Sequence, residues 1–238
     1  MAQLMIKAKN IIKIRFANFL FILFLRILVF LRFDFRFIFS KFISDKLVSP
    51  SHLDNPVRNR VPTFEFIIEE LCSRDNLLVL ETGSMRADHN KLSWGDDGCS
   101  TLLFNLLTSA SNGSCISVDI SSEAVKHARK YCFGQSEIHL GDSVDFLRNF
   151  DSADKIDLLY LDSYDFDPKN PHPSQMHHLN EIEVIFDRLK SGAYVLVDDA
   201  DILFDGSLFG KASLLINFFA KKNISPKITG YQVLFQVP

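Results

Sequence analysis

Carboxylates follow two apolar, strand-like runs in the second half of the chain. Residues 156–162 (IDLLYLD) end in Asp162, and residues 194–199 (YVLVDD) end in the pair Asp198 and Asp199. Neighbouring strands of a doubly wound sheet bring such ends to one edge, so these acids are expected to converge. Converging carboxylates repel one another unless a cation lies among them. Oxygen ligands suit Mg²⁺, with Mn²⁺ and Ca²⁺ as relatives, which predicts a metal site. The alternative is a strand-end acid, Asp198, beside a solvated turn.

Two adjacent histidines, His177 and His178, end the long segment, rich in Pro and Asp, that follows Asp162. Loops of this length in a compact domain are usually functional. Ser174 is expected to cap the next helix, which places His177 in its first turn, where the helix dipole lowers the pKa of an imidazole. A neutral imidazole can take a proton from a hydroxyl, and the alternative is a histidine that only bonds the loop above it. Because adjacent helical residues point about 100° apart, only one histidine is expected to face the cleft. The candidate catalytic residues are His177, His178 and Asp162.

An apolar run in the first half of the chain, residues 77–83 (LLVLETG), ends in an acid and a glycine. A second glycine then opens a helical pattern, and Ser100 is its predicted N-cap. Glycine lets the backbone approach a ligand, and the N–H groups of a helix start bind polar groups. The candidates for cofactor binding in this part are Glu81, Gly83, Gly98, Ser100 and Thr101.

Two further strand-like runs also end in acids. Residues 115–119 end in Asp119, and an acid at the end of a second strand accepts hydrogen bonds from a ribose diol. The next run leads to Asp142 and Ser143, which are candidates for holding an adenine ring. Each of these residues can also be a helix cap or a turn residue. Successive strand ends in this order favour a ligand site at the carboxyl edge of an open sheet.

Strand and helix patterns alternate through the body of the chain. The predicted strands are 77–81, 115–119, 136–140, 156–162 and 193–198. The predicted helices are 63–73, 99–110, 122–132, 143–149, 174–190 and 207–222. Two strand-like runs, 226–229 and 231–237, close the chain. This order predicts an α/β fold: a doubly wound, mostly parallel seven-stranded sheet with a terminal antiparallel hairpin.

Taken together, these residues make the chain, over roughly residues 62–238, resemble a class I S-adenosylmethionine (SAM)-dependent methyltransferase. The resemblance implies SAM as cofactor. It places Glu81 and Gly83 near the methionine moiety and Asp119 on the ribose. It places Asp142 and Ser143 beside the adenine.

The glycine loop departs from the usual pattern of that family. Residues 84–97 separate its two halves, whereas the family usually has its glycines within a few residues. Residues 94–101 (WGDDGCST) are similar to the second half of this loop in bacterial methyltransferases of polysaccharide and secondary-metabolite clusters. The G-x-G-x-x-G pattern that NAD-binding sheets carry directly after the first strand is absent here, which counts against NAD.

The acids at 162, 198 and 199 resemble the ligands of metal-dependent O-methyltransferases, which use an Asp after strand 4 and an Asp-Asp or Asp-Asn pair after strand 5. The resemblance implies a metal that chelates two substrate oxygens and lowers the pKa of the attacking hydroxyl. The expected function is metal-assisted O-methylation of a sugar or another polar small molecule, including glycan or lipid-linked acceptors. One alternative is an inactive, membrane-recruited binding module on the same fold. Another is a metal-independent N- or C-methyltransferase.

Charge divides the chain unevenly. Residues 1–46 carry nine Lys and Arg against two Asp, a net charge of +7, and the remainder carries −10. A basic, Phe-rich segment on an acidic body favours contact with anionic lipid through residues 10–42 and argues against a nucleic-acid surface. The expected organisation is a membrane-interacting segment at 1–45, a linker at 46–62 and a methyltransferase domain at 63–238.

The apolar run that begins at Phe16 is shorter than a bilayer span, which needs about 20 apolar residues, and Arg26 interrupts it. A helix lying in the membrane interface is therefore favoured over a true span, with a partner-binding helix as the third interpretation. Alternating Phe residues from Phe33 onward have a strand-like period, which predicts that the helix ends near Leu31. The four scattered cysteines fit a reducing compartment. The expected localisation is cytoplasmic, either peripheral or anchored at the inner face of the membrane.

Overall fold

Nine strands form two sheets in the computed structural model, which describes residues 20, 22–43, 59–86, 99–153, 155–202 and 208–238. The strands are β1 (Leu78–Thr82), β2 (Ser114–Asp119), β3 (Ser136–Leu140), β4 (Ile156–Leu161), β5 (Leu189–Val197), β6 (Ala200–Ile202), β7 (Leu208–Gly210), β8 (Pro226–Thr229) and β9 (Val233–Gln236). The large sheet has the order β3-β2-β1-β4-β5-β9-β8, and β6 pairs only with β7.

The large sheet has the predicted doubly wound topology. Its first five strands run parallel, and β9 is antiparallel to both β5 and β8. Every residue of β1 and β4 is buried, because helices cover both faces of the central strands. This arrangement confirms the predicted sheet with its terminal hairpin and makes the ends of β1, β2, β4 and β5 neighbours at one edge.

Eight helical segments surround the sheet within the described ranges. They are α1 (residues 22–30), α2 (Phe35–Ile38), α3 (Val61–Leu71), α4 (Ser100–Ala110), α5 (Ser122–Tyr131), α6 (Ser143–Arg148), α7 (His172–Ile185) and α8 (Ser213–Ala220). A π-helical turn, Phe39–Ile43, continues α2, and a 3₁₀ turn, Phe186–Arg188, follows α7.

Two predicted helices differ from the structure by more than two residues at one end. The helix expected over 207–222 begins only at Ser213, because residues 208–210 pair with β6 instead. The helix expected over 174–190 begins at His172 and ends at Ile185, because β5 already begins at Leu189.

The N-terminal segment contributes to the core of the body. Helix α1 ends at residue 30, as predicted, but residues 35–43 are helical where the Phe alternation indicated an extended run. The spacing of Phe35, Ile38 and Phe39 is helical, and these side chains join the same buried cluster as α3 and β1. In the described ranges, no helix combines the length and apolar character needed to cross a bilayer. Residues 10–19, most of the expected linker and most of the 84–97 insertion, together with Gly98, lie outside the described residues.

This packing makes a testable prediction about α1. Leu25 is 0% exposed in the shared core, whereas Leu23 on the same helix is 41% exposed. Leu25→Ala is therefore expected to lower the free energy of unfolding by about 2–5 kcal/mol, and Leu23→Ala by about 0.5 kcal/mol or less. Urea denaturation of the full chain measures both values. Equal effects from the two substitutions would show that α1 is an appendage and not part of the core.

Candidate active site

Two cavities open at the carboxyl edge of the parallel strands. Cavity 1, of about 430 Å³, lies over the ends of β1 to β4, and cavity 2, of about 310 Å³, lies over the ends of β1, β4 and β5. Both lie at the edge where open α/β sheets bind ligands. The residues common to the two walls are Gly83, Arg86, Asp162 and Asp165. The cavities therefore meet along the loops that follow β1 and β4.

Cavity 1 brings together four of the predicted cofactor-binding residues: Gly83, Asp119, Asp142 and Ser143. Backbone bonds hold the Asp119 carboxylate: Ser84 N–H donates to Oδ2 at 2.8 Å, and Ser121 N–H donates to Oδ1 at 2.7 Å. Asp142 caps α6 by accepting from the Asp145 N–H at 3.0 Å. It is thus a helix cap and a cavity residue at once. Its position therefore agrees with both interpretations made from the sequence, a helix cap and a residue beside the adenine ring.

Gly83 is one of the four residues that line both cavities. Its φ of +86° lies in the left-handed region, and a Cβ there would lie 2.6 Å from the Asp162 carbonyl oxygen. A side chain at this position would push the loop after β4 away from β1. The glycine therefore sets the close approach of these two strand ends as well as leaving space for a ligand.

Glu81 and Thr101 lie behind the loop that follows β1. They are not among the residues that line either cavity. The fully buried Glu81 accepts hydrogen bonds from Ser100 Oγ at 2.5 Å and from Ser117 Oγ at 2.6 Å. Burial raises the pKa of Glu81 to about 7, although both hydroxyls oppose that shift. Thr101 Oγ1 accepts from the Met85 N–H at 2.7 Å. Thr101 therefore supports the loop after β1 from below, whereas Glu81 connects β1 to β2 and to the start of α4.

Ser100 lines cavity 2, but it is not the N-cap of α4 that the sequence predicted. The capping position is taken by Cys99, at φ +42°, without a side-chain capping bond. The Ser100 hydroxyl donates its hydrogen bond to Glu81 instead, because a buried carboxylate requires hydrogen-bond donors.

The two histidines of α7 have different environments. Helix α7 begins at His172, and Ser174 Oγ bonds to the Pro171 carbonyl, so the predicted cap at Ser174 is wrong. His178 is fully buried, with Nδ1 2.6 Å from the Ser174 carbonyl oxygen, and burial lowers its pKa to about 4. His177 lines cavity 1, with Nε2 2.8 Å from Ser143 Oγ. Of the two histidines, only His177 lines one of these cavities: it lies beside Ser143 in the wall of cavity 1.

His177 is also charged more readily than the helix-dipole argument predicted. Burial lowers its pKa, but Glu181, whose Oε1 lies 3.4 Å from Nε2, raises it by more, so the net shift is upward. Burial alone would raise the pKa of Glu181, yet the bond from His177 helps to bring it down to about 2. Ser163 Oγ donates to Glu181 Oε1 at 2.6 Å. His177 is therefore held by an acid that the sequence analysis did not identify.

The acids after β4 and β5 converge as predicted. Asp162, Asp198 and Asp199 each place one carboxylate oxygen within 4.8 Å of the others. Two side chains of the chain already lie among them. Lys211 Nζ lies 2.8 Å from Asp162 Oδ1 and 2.9 Å from Asp199 Oδ2, and Arg60 Nη2 lies 2.7 Å from Asp198 Oδ2. The cation that the electrostatic argument required is thus present as an ammonium and a guanidinium.

These ion pairs shift the pKa values of the residues around them. Burial lowers the pKa of Lys211, but Asp162 and Asp199 raise it by more, so the ammonium stays protonated. Burial raises the pKa of Asp199, and Lys211 and Tyr231 bring it well below its usual range. The Tyr231 hydroxyl donates to Asp199 Oδ1, and Gln232 Nε2 donates to Asp198 Oδ1 at 2.9 Å.

Arg60, Lys211, Tyr231 and Gln232 were not among the predicted site residues. One signal pointed to Lys211: it is the single charged residue in the mostly apolar stretch from residue 208 to 220 (LFGKASLLINFFA). Arg60 lies in the expected linker, where the sequence carries no pattern that places a side chain in a core.

The oxygen ligands have the chemistry of a Mg²⁺ site, but their arrangement does not fit a resident divalent ion. Asp162 and Asp199 hold one ammonium between them, and Asp198 is bound by Arg60 through both of its oxygens. A divalent ion at the three acids would have to displace Lys211 first.

Comparison with known proteins gives a family-model match over part of the chain and a shared fold. Residues 94–200 match the family model of a methyltransferase domain. The structure is similar to MycE methyltransferase of the mycinamycin biosynthetic pathway in complex with Mg, S-adenosylhomocysteine (SAH) and mycinamycin VI. That match has a TM-score of 0.56 and 13% identity over 86% of this chain and 55% of MycE. A second MycE structure, with Mg and SAH, gives a TM-score of 0.54 and 14% identity over 86% of this chain and 55% of that chain. This chain thus spans about half the length of MycE, and no curated protein matches it.

Proposed function

We propose that this chain, which has the class I methyltransferase fold and matches a methyltransferase domain over residues 94–200, transfers the methyl group of SAM to a hydroxyl of a polar small molecule. The observation that carries the proposal is the pair of cavities that meet at Gly83 and Asp162. One cavity has the acid expected for a ribose, and the other is lined by charged and polar groups.

Cavity 1 is proposed to hold SAM, which supplies an electrophilic methyl group on its sulfonium. Its volume of about 430 Å³ falls in the range of small-ligand sites. Asp119 is fixed by two backbone N–H groups, and the remaining lone pairs of its carboxylate can accept the ribose hydroxyls. Ser143 and His177 form the part of the cavity wall that would face the adenine ring.

Cavity 2 is proposed to hold the acceptor. The side chains of Asp162 and Asp199 are 19% and 27% exposed, so each can accept a hydrogen bond from a hydroxyl. Of the two acids that line both cavities, Asp165 is largely exposed and paired with Arg86, whereas Asp162 lies inside. In the proposed step, Asp162 Oδ2 takes the hydroxyl proton while the acceptor oxygen forms its bond to the methyl carbon. The bond from that carbon to sulfur breaks, and the sulfur keeps the electron pair.

Two alternatives make different predictions for this site. An inactive binding module would bind SAH but release none from SAM with any acceptor. An N- or C-methyltransferase would use an amine or a carbon nucleophile and not a polyol. The carboxylates of cavity 2 can accept from O–H and N–H groups alike, but Lys211 and Arg60 beside them disfavour a protonated amine, so a hydroxyl is the favoured acceptor.

Calorimetric titration of the full chain with SAH, and with NADH as a control ligand, tests the first half of the proposal. We expect one SAH per chain and no heat from NADH. Asp162→Asn is expected to keep the SAH dissociation constant within threefold. It is also expected to lower turnover at least about 100-fold, as loss of a general base does. SAH release from SAM with a panel of glycosides and other polyols measures that turnover. Failure to bind SAH contradicts the cofactor, and unchanged turnover contradicts the role of Asp162.

A further inference from the structure

Lys211 is buried between two carboxylates, which is an unusual environment for a lysine. Its side chain is 1% exposed, and its ammonium bridges Asp162 Oδ1 and Asp199 Oδ2 at 2.8 and 2.9 Å. Charge-assisted bonds of this length are strong, and burial protects them from screening by salt. The ammonium thus holds together the two strand ends that the acceptor cavity requires.

The backbone fixes Lys211 in this position. Lys211 N–H donates to the Asp199 carbonyl at 3.1 Å, and β6 pairs with β7 so that Ala200 lies opposite Gly210. Gly210 has a φ of +111°, and a Cβ there would lie 2.2 Å from the Asp199 carbonyl oxygen. Only glycine permits this approach, so the residue after it begins directly beside Asp199. The lysine is therefore built into the hairpin beside the acids.

An ammonium and a divalent ion cannot both occupy this position. A metal bound by Asp162 and Asp199 lies about 2.0–2.6 Å from its oxygen ligands. It would then be only a few ångströms from Nζ, where like charges in a buried site repel strongly. Arg60 already neutralises the negative charge of Asp198, so less negative charge remains at the three acids to attract a metal.

We propose that Lys211 is the resident cation of the acceptor site, where its ammonium stands in the place of a divalent metal and positions the carboxylates of Asp162 and Asp199. The cation position follows from the geometry alone, and only its link to methyl transfer rests on the proposed function. Without a metal, the acceptor does not need two vicinal oxygens for chelation. A single hydroxyl bound by the carboxylates is sufficient, so isolated hydroxyls of neutral polyols are the expected substrates.

Mn²⁺ binding, followed by electron paramagnetic resonance, tests the position without any turnover. The full-length wild type is expected to bind no Mn²⁺ at this site. Lys211→Ala leaves three carboxylates facing Arg60 alone and is expected to bind one Mn²⁺ at least about 20-fold more tightly than the wild type. Lys211→Arg, which keeps the positive charge, and Lys221→Ala, which removes an exposed lysine, are expected to behave as the wild type. One tightly bound Mn²⁺ in the wild type overturns the proposal, even if the alanine variant fails to fold.

Turnover gives the second readout. The wild type is expected to keep its rate in EDTA, whereas Lys211→Ala is expected to lose at least about 100-fold and to recover part of it with Mn²⁺. A lysine with a purely structural role would give no metal rescue, so the absence of rescue in a folded, Mn²⁺-binding variant contradicts the positioning role. If no acceptor is ever methylated, the proposed function fails, while the Mn²⁺ titration still decides the cation position.

An independent observation concerns the outer face of α1. The inner face lies in the core, but Ile27 and Phe30 are 47% and 83% exposed, and Leu31, directly after the helix, is 58% exposed. Contiguous apolar surface of this kind marks an interaction site. The exposed cations Arg32 and Lys41 follow directly, together with Arg36, which is paired with Asp34, the single acid between residues 20 and 43. An apolar helix face beside basic residues complements an anionic lipid surface.

We infer that this face lies on anionic membrane, with α1 parallel to the surface because its other side belongs to the core. The full chain is expected to sediment with vesicles of 70% phosphatidylcholine and 30% phosphatidylglycerol but not with pure phosphatidylcholine. The double variant Ile27→Ser/Phe30→Ser is expected to lose at least about tenfold in binding, and Leu140→Ser, also at an exposed leucine, none. Unchanged binding of the double variant overturns the inference. A second result would also overturn it: the wild type binds no vesicles and is a dimer, and the double variant is a monomer. A second copy of the chain would then cover this face.

Discussion

Arg60→Met is expected to lower the free energy of unfolding by about 3–5 kcal/mol, the cost of leaving a buried carboxylate without its partner. Asp198 is 0% exposed, and Arg60 binds it through Nε, at 3.1 Å from both oxygens, and through Nη2 at 2.7 Å. Gln232 donates only one further bond and carries no charge. The effect is large because the carboxylate stays buried after its charged partner is removed. Urea denaturation followed by circular dichroism measures it.

Two further variants separate this cost from other causes. Adding Asp198→Asn to Arg60→Met removes the stranded charge and is expected to restore a large part of the loss. Arg148→Met breaks an exposed pair with Asp145, in which both side chains are more than half exposed, and is expected to cost less than about 1 kcal/mol. If Arg60→Met costs no more than Arg148→Met, the Arg60–Asp198 pair does not hold the end of β5 in place.

Asp119→Ala is expected to weaken SAH binding by about 10- to 100-fold, the value of one hydrogen bond to a charged group. The Asp119 carboxylate is held at the end of β2 by the N–H groups of Ser84 and Ser121 and lines cavity 1. Its loss removes the acceptor proposed for the ribose hydroxyls. Calorimetric titration with SAH measures the change, and the melting temperature of each variant shows whether the loop has remained folded.

Asp145→Ala is the matched control for this prediction. Asp145 is an exposed acid in the first turn of α6 and is not a lining residue of either cavity. It is expected to leave the SAH dissociation constant within twofold. An Asp119→Ala variant that is folded and binds SAH as tightly as the wild type would exclude Asp119 from cofactor binding.

The fold was predictable because its signals are local. The alternation of apolar runs with helical periods placed β1 to β4 to within one residue at each end. An acid at a strand end is also a local signal, and the topology rule then brought Asp162, Asp198 and Asp199 together without any knowledge of contacts.

The cations of the site were not predictable in the same way. Arg60 and Asp198 are 138 positions apart in the chain, and Lys211 reaches Asp162 across 49 positions. Their pairing depends on where a linker and a hairpin lie in three dimensions. The predicted caps at Ser100 and Ser174 failed for a related reason, since each hydroxyl took a tertiary or local partner other than the helix N–H groups. Electrostatics required a cation at the acids, but the residue types alone did not distinguish a metal from a lysine.

The most direct test of methyl transfer at this site is the crystal structure of the full chain with SAH. It is expected to show the ribose hydroxyls within hydrogen-bond distance of Asp119 and the sulfur of SAH at the junction of the two cavities, beside Gly83 and Asp162. SAH bound elsewhere, or with its sulfur directed away from cavity 2, would contradict the proposed methyl transfer at this site.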